Sequence, residues 1–305
     1  MVHQASKKAV FAALFANLGI AIFKVTAALI SNSSSMLAEG YHSISDTFNQ
    51  VLLLIGLKRS RKAPTSIHPF GHGKEQFFWS FLVAIILFGI AGTLSIREGL
   101  QKFRHPHEIS HIWLTYLALG VALIFETVAF RIALKNIRAS MQEDGIKKMI
   151  EGVVSCKDTA TLTVLIEDLL AMAGLVIAAV AITLVHITGN YIIDAIASII
   201  IGALLMGFAL FLAFETQKLL VGESVTPYKR KRILDAVMCF KEVNKIISLR
   251  TMHLSSDEVL VTLEINYKDG LVVDEIEALN DRIEAKIKEI LPNAKVYLEA
   301  ENEIS

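Results

Sequence analysis

The stretch Met36 to Leu57, MLAEGYHSISDTFNQVLLLIGL, decides the architecture. On a helix, residues spaced i, i+3 or i+4, and i+7 share one face. Glu39, His42, Asp46 and Asn49 therefore form a polar stripe, and Leu52, Leu53, Leu54, Ile55 and Leu57 continue the segment as apolar. Such a segment suits lipid, where an ionisable side chain costs roughly 2.5–3.5 kcal/mol on insertion scales. That cost is sustained only where the stripe faces an interior or a water-filled path. A histidine one turn from a carboxylate is also a natural ligand pair for a borderline divalent metal. The competing reading is a buried polar pair that only locks helix packing. A lone histidine would favour packing; four polar groups on one face favour chemistry.

Composition points the same way. The chain has 305 residues, 53% of them hydrophobic, and a mean hydropathy of +0.52. Soluble domains reach about 45–50% apolar only when glycine is counted. Thirty acidic and thirty basic residues cancel, so no global basic field exists for nucleic acid. Cys156 and Cys239 form neither a disulfide framework nor a CxxC metal clip and read as reduced thiols. Met1 to Lys8 is short and basic, but the apolar run after it is too long for a signal-peptide core and lacks a cleavage site.

Hydropathy predicts six spans of the roughly 20 residues a bilayer requires, at 9–30, 35–57, 76–100, 110–135, 159–186 and 190–215. All five prolines fall outside them, as uninterrupted helices require. Lys7, Lys8, Lys58, Arg59, Arg61, Lys62, Lys74, Lys135, Arg138, Lys147, Lys148 and Lys157 collect on one side. Only Lys102 and Arg104 mark the other. By the positive-inside rule both termini are expected in the cytoplasm.

Residues 136–158 read as a cytosolic linker helix. From residue 221 the pattern changes, so two domains are expected: 1–220 in the membrane and 221–305 in the cytosol. Val259, Val261, Leu263 and Ile265 alternate with Thr262, Glu264 and Asn266, which predicts a half-buried strand. Ile276, Leu279, Ile283 and Ile287 repeat at helical spacing, and Lys295 to Leu298 reads as another strand. A helix through Ile233, Val237 and Phe240 precedes a strand at 246–252. The order αββαβ predicts a small α+β, ferredoxin-like domain. Its acids outnumber its bases, which argues against a nucleic-acid partner.

Other polar residues fall inside the predicted spans: Asn17 and Lys24 in the first, Glu126 in the fourth, Glu167 and Asp168 in the fifth, Asp194 at the start of the sixth. Acids outnumber bases, so the interior suits a cation. Glu126 and Asp194 have plainer readings, as interfacial acids or partners of Lys24. Asp168 lies about ten residues, roughly 15 Å, inside its span, at a depth comparable to His42 and Asp46. Glu167 is rotated about 100° from it, so only one of the two can face a given centre. A further cluster, His68-Pro69-Phe70-Gly71-His72-Gly73-Lys74-Glu75, is either a loop metal site or an ordering turn.

Together these features resemble the cation diffusion facilitator family of divalent-metal/proton antiporters. Ser35 to Asp46, SMLAEGYHSISD, is similar to the family's LLADALHSLSD signature, and the HPFGHGKE loop and αββαβ domain extend the likeness over nearly the whole chain. The run Asp46-Thr47-Phe48-Asn49-Gln50 and the Glu167-Asp168 pair look most like the branch containing the mitochondrial zinc transporter of eukaryotes. The resemblance implies that His42, Asp46 and Asp168 bind the metal. Val164 stands where the family has a fourth ligand, so water, Asn49 or a rotated Glu167 is left to fill that place. Glu39 joins Asn49 and Glu167 as a candidate on a metal or proton path.

Three protein ligands and one open position suit Zn²⁺. An oxygen-rich set moves the expectation toward Mn²⁺, Fe²⁺ or Co²⁺. His68 and His72 match a peripheral family site that lacks its usual acid here, with Thr65 or another neutral residue at the expected place. Ile247, Thr262, Glu299 and Glu301 replace the ligands of zinc-binding relatives in the C-terminal domain, where His253 is the one histidine. Lys74 and Glu223 are expected as a latch at the cytosolic ends of spans three and six. The resemblance implies a homodimer that exports metal from the cytosol against protons by alternating access. No enzyme activity or prosthetic group is expected, and a bacterial inner membrane is the expected location. The alternatives are a passive metal channel, a membrane-bound metal sensor and, furthest from the motifs present, a membrane metalloenzyme.

Overall fold

The structure is a computed structural model that describes residues 7–140 and 159–302. It forms two compact units. One contains the helices up to residue 58 and from 78 to 216; the other contains residues 59–77 and 217 onward.

The helical unit is built from α1 (Lys7–Ser31), α2 (Ser34–Ser60), α3 (Glu75–Ile86), α4 (Thr93–Arg104), α5 (Ile112–Ser140), α6 (Thr159–Thr188) and α7 (Ile192–Val221). A π-helical turn, Leu87–Gly92, joins α3 to α4, so the third predicted span is one apolar rod with a widened turn inside it. Widened turns of this kind recur at functional sites. Among the described residues, four helices are long and apolar enough to cross a membrane: Glu75–Arg104, Ile112–Arg131, Glu167–Thr188 and Ile192–Val221. In α1 the described apolar run is shorter, Asn17–Ser31. In α2 the polar stripe dilutes the hydropathy that its 27 residues would otherwise carry. The predicted linker helix is seen only as the end of α5; residues 141–158, with Cys156, lie outside the described residues.

Two apolar clusters hold this unit. Ala27, Met36, Ala38, Ala118, Ala122, Leu175, Ala178, Ile182 and Ile201 join α1, α2, α5, α6 and α7. Val83, Ala84, Phe208, Ala209 and Leu212 join α3 to α7, with Leu52, Leu53 and Leu170 against them. Small residues at the contacts let helices approach, because lipid offers apolar side chains no reason to leave it. Gly202 of α7 shows this: a Cβ there would lie 2.9 Å from the Gly92 carbonyl oxygen and 2.8 Å from the Ile96 side chain.

The second unit follows the predicted αββαβ order. After α8 (Pro227–Met238) come β1 (Val243–His253), β2 (Val259–Tyr267), α9 (Val273–Ile290) and β3 (Ala294–Ala300). Thr226 caps α8 by accepting from the Lys229 N–H at 3.4 Å, with Pro227 at the first helical position. Glu275 reaches back to the Val272 N–H at 3.1 Å and closes the start of α9. Strand order is β1-β2-β3, with β1 and β2 antiparallel and β2 and β3 parallel. Val259, Val261, Leu263, Ile265 and Tyr267 alternate inward from β2 and meet Ile233 and Val237 of α8 and Leu279, Ile283 and Ile287 of α9.

The HPFGHGKE loop belongs with this unit by its contacts, whereas the sequence places it with the membrane domain. A Cβ at Gly73 would meet the Leu254 carbonyl oxygen at 2.5 Å, so glycine is what allows the backbones to touch. Lys295 donates to the Phe70 carbonyl at 3.3 Å, and Phe70 meets Tyr297 edge to face with ring centroids 6.3 Å apart. Neither contact has a signal at short sequence range.

Tyr267 supplies a pH test of this packing. Its hydroxyl donates to Asn280 Oδ1 at 2.5 Å, and burial pushes the phenol up to about 12. The unfolded phenol ionises near 10. The folded domain therefore keeps its full stability below about pH 10 and loses part of it as pH rises toward 12. Ultraviolet titration of the full chain should show a late-ionising phase that loses one tyrosine's amplitude in Tyr267→Phe.

Candidate functional site

The polar stripe of α2 is buried, as a functional stripe requires. Glu39 and Asn49 are fully buried and His42 is 1% exposed. His42 Nδ1 and Asp46 Oδ1 lie 3.5 Å apart, one helical turn from each other. That is within ion-pair reach but outside hydrogen-bond geometry. Both ring nitrogens of His42, Oδ1 of Asp46 and Oδ1 of Asn49 are buried without a hydrogen-bond partner. Buried polar atoms in folded proteins are nearly always paired, so four orphans along one helix face form a site with ligand capacity.

The acid that faces this stripe comes from α6. Glu167 Oε1 accepts from Asn49 Nδ2 at 2.6 Å, and the Glu167 and Asp46 carboxyl groups are within hydrogen-bonding contact. Asp168 sits about 100° around the helix, is half-buried, and has Glu126 and Glu167 as its charged neighbours. Glu167 is thus the member of the pair turned toward α2 in this conformation. Among the described residues, no three His, Cys, Asp or Glu side chains are gathered closely enough to hold a metal ion together. The side chain of Val164 lies outside the described residues.

Glu39, one turn N-terminal to His42, belongs to a different arrangement. Its Oε2 lies 3.2 Å from Lys24 Nζ on α1, and both side chains are fully buried. Glu126 of α5 approaches the same ammonium at 3.9 Å. The carboxylate is seated against α6 at Gly174, where a Cβ would collide with Glu39 Oε1. Gly174 follows Glu167 by seven residues, so one face of α6 carries the acid opposite Asn49 and the bare backbone opposite Glu39.

At the start of α2 stands a third buried cluster. Asp194 of α7 accepts from Ser33 Oγ at 2.9 Å, Ser34 N at 2.7 Å, Ser34 Oγ at 3.0 Å and Ser35 N at 3.2 Å, and bonds Ser35 Oγ. Lys102 of α4 donates to Asp194 at 2.9 Å and to the Asn32 carbonyl. A carboxylate from a neighbouring helix thereby caps the free N–H groups of α2, where the helix dipole also favours negative charge. Hydropathy puts Lys102 in a loop, and the sequence offers Lys24 as a partner for Asp194. The pairing with Lys102 joins residues 92 apart, and the only local hint is the Ser33-Ser34-Ser35 run at the start of the helix.

The HPFGHGKE loop holds a smaller cluster. The rings of His68 and His72 are 4.3 Å apart between centroids, and His72 Nδ1 lies 3.1 Å from Glu75 Oε1. Glu75, one turn beyond His72, is the acid beside that ring. Thr65 accepts from the His68 N–H at 3.1 Å. Lys74 donates to the Leu220 carbonyl at 3.3 Å, at the C-terminal end of α7. That places it on the last turn before Glu223, whose carbonyl accepts from the His253 N–H at 3.0 Å.

Helices long and apolar enough to cross a membrane, a buried His42 beside Asp46, and a small α+β domain after them define the class as a membrane protein with polar groups inside its helical unit. Comparison with known proteins gives the family. Residues 10–221 match the family model described as "Cation efflux transmembrane domain", and residues 226–303 match "Cation efflux protein, cytoplasmic domain". The chain belongs to the cation diffusion facilitator family, whose members are transporters rather than enzymes.

It is 30% identical over 251 residues to "Proton-coupled zinc antiporter SLC30A9, mitochondrial" of Xenopus laevis, covering 82% of this chain and 44% of that protein. It is 28% identical over 270 residues to "Metal tolerance protein C4" of Arabidopsis thaliana, covering 88% and 59%. With "Manganese efflux system protein MneP" of Bacillus subtilis it shares 25% identity over 310 residues, covering 97% and 98%. The chain thus spans about half the length of the first two relatives and nearly all of the third.

Two substitutions test this geometry. Asp194→Ala leaves Lys102 buried without its carboxylate and should cost about 3–5 kcal/mol. Gly174→Val forces Glu39 off its seat and should cost about 1–3 kcal/mol by overpacking. Thermal unfolding of the purified full chain in detergent measures both, and the order Asp194→Ala below Gly174→Val below wild type is expected.

Proposed function

We propose that the protein exports divalent transition-metal cations from the cytosol in exchange for protons, by alternating access. The observation that carries this reading is the buried, unpartnered His42 beside Asp46 on a membrane helix, with an α6 acid opposite. A nitrogen and a carboxylate one turn apart bind a borderline metal, and ligands must shed protons to do so. Metal and protons therefore compete for the same lone pairs, which is the physical basis of antiport.

The cargo site in this proposal is His42 and Asp46 with the Glu167–Asp168 pair of α6. Glu167 faces α2 in the conformation described, and Asp168 takes that place when α6 turns relative to α2. Asn49 holds the idle carboxylate through its amide. Zn²⁺ is the preferred cargo, on the strength of the imidazole ligand and of the zinc antiporters among the relatives. Mn²⁺ comes next, because the carboxylates supply oxygen and one relative of nearly equal length is a manganese efflux protein. Fe²⁺ and Co²⁺ suit the same donors.

The same proposal has six spans, α1 and α2 included, both termini in the cytoplasm by the charge of the loops, and a homodimer joined through the C-terminal domain. Its membrane is a bacterial inner membrane, as the B. subtilis relative suggests. Lys74 acts as a latch on the end of α7 through the Leu220 carbonyl.

Metal uptake into proteoliposomes carrying an internal pH-sensitive dye tests the reading. Zn²⁺ should enter as protons leave, and Asp46→Ala and Glu167→Ala/Asp168→Ala should abolish uptake. Metal entry without proton movement would make the protein a channel. No movement of Zn²⁺, Mn²⁺, Fe²⁺ or Co²⁺ under any gradient would overturn the transport reading.

A further inference from the structure

The helical unit buries a second charged group beside the cargo site, and the mechanism above leaves it unused. Lys24 is fully buried, 3.2 Å from Glu39 and 3.9 Å from Glu126. Such a group earns little stability: apolar replacements of buried ion pairs are often neutral or stabilising. Its position is more telling. Glu39, His42 and Asp46 occupy one face of α2 at i, i+3 and i+7. A divalent cation between His42 and Asp46 would therefore find the Glu39 carboxylate one turn away. Oε1 of Glu39 is buried without a hydrogen-bond partner, and Gly174 leaves room for the carboxylate at that place. The Lys24 ammonium holds the other oxygen, and its charge also acts on His42 and Asp46.

We propose that Lys24 is a tethered cation that sets how tightly the cargo is held: it keeps Glu39 out of the ligand set and repels the metal from the same face. The inference rests on the transport reading and adds a positioning residue to it. A transport site must bind well enough to load and weakly enough to release. Two carboxylates, Asp46 and Glu167, joined by Glu39 as a third, would hold a divalent ion too firmly. A fixed positive charge at one turn's distance corrects this without occupying a ligand position. Lys24 acts here by its charge and place. Glu39 and Glu126, from α2 and α5, are the carboxylates that keep the ammonium in the interior.

The test is a charge cycle on the purified full chain, with Zn²⁺ and Mn²⁺ as probes. Titration calorimetry gives the Asp46-dependent binding, taken as the difference from Asp46→Ala, and proteoliposome uptake gives KM and turnover. Lys24→Met should tighten Asp46-dependent binding about tenfold or more, the order expected of a unit charge acting on a divalent ion inside a protein. It should also slow turnover, so KM and turnover fall together. Lys24→Arg, which keeps the charge, should bind as wild type does. Glu39→Gln should weaken binding, and Lys24→Met/Glu39→Gln, with the net charge restored, should return to within about threefold of wild type.

Unchanged or weaker binding in Lys24→Met overturns the inference. Should Lys24→Met not fold, Glu39→Gln against Lys24→Met/Glu39→Gln isolates the same charge without a stranded carboxylate. Tighter binding in the double variant supports the inference, and equal binding overturns it. Wild type that moves no metal overturns the transport reading and this inference with it. Wild-type transport with an unaltered charge cycle overturns the inference alone.

Discussion

An ionisable side chain buried among membrane helices needs a partner, and helix α2 is organised around that constraint. It carries a polar group at nearly every turn from Ser34 to Asn49, and each level is met by a different helix. Asp194 of α7 and Lys102 of α4 take the first turn; Lys24 of α1 takes Glu39; Glu167 of α6 takes Asn49 and approaches Asp46. Breaking a buried pair costs about 3–5 kcal/mol because it strands the other charge. The polar residues of α2 thereby fix which helices surround it, more sharply than the apolar contacts beside them could.

The levels differ in how completely they are satisfied, and that difference separates structure from chemistry. At the start of α2 the Asp194 carboxylate has donors from Ser33, Ser34, Ser35 and Lys102, and little capacity is left over. One and a half turns on, Glu39 has Lys24 on one oxygen and none on the other. Around His42, Asp46 and Asn49 orphaned atoms predominate. An unmade hydrogen bond in a buried place costs about 1–3 kcal/mol per group. The gradient therefore concentrates unmet demand at one depth, the place where we propose that the cargo cation binds and protons replace it.

Much of this was legible in the sequence. The stripe Glu39–His42–Asp46–Asn49 follows from helical spacing alone, and period-two alternation at Val259–Ile265 gives the strand that becomes β2. What escaped depends on distance in the chain or on rotation about an axis. The spacing of Glu167 and Asp168 said that one of them faces α2 but not which; the Asn49 hydrogen bond makes it Glu167 here. Lys102 carries a charge that hydropathy assigns to a loop, yet its ammonium is buried against Asp194. Glu75 stands in the His68–Glu75 run, but its approach to His72 depends on the fold of the loop. The docking of the HPFGHGKE loop on Leu254 and Lys295 is a tertiary fact with no periodic trace.

We place the cargo cation on the unpartnered face of α2. X-ray absorption at the zinc edge of the full chain tests it most directly, in a His68→Ala/His72→Ala background so that the loop cannot contribute. The account predicts a nitrogen- and oxygen-only first shell with the outer scattering of a single imidazole, and loss of that imidazole signal in the further variant His42→Ala. An imidazole signal that survives His42→Ala, or a first shell without imidazole in the parent, would place the metal elsewhere and contradict the account.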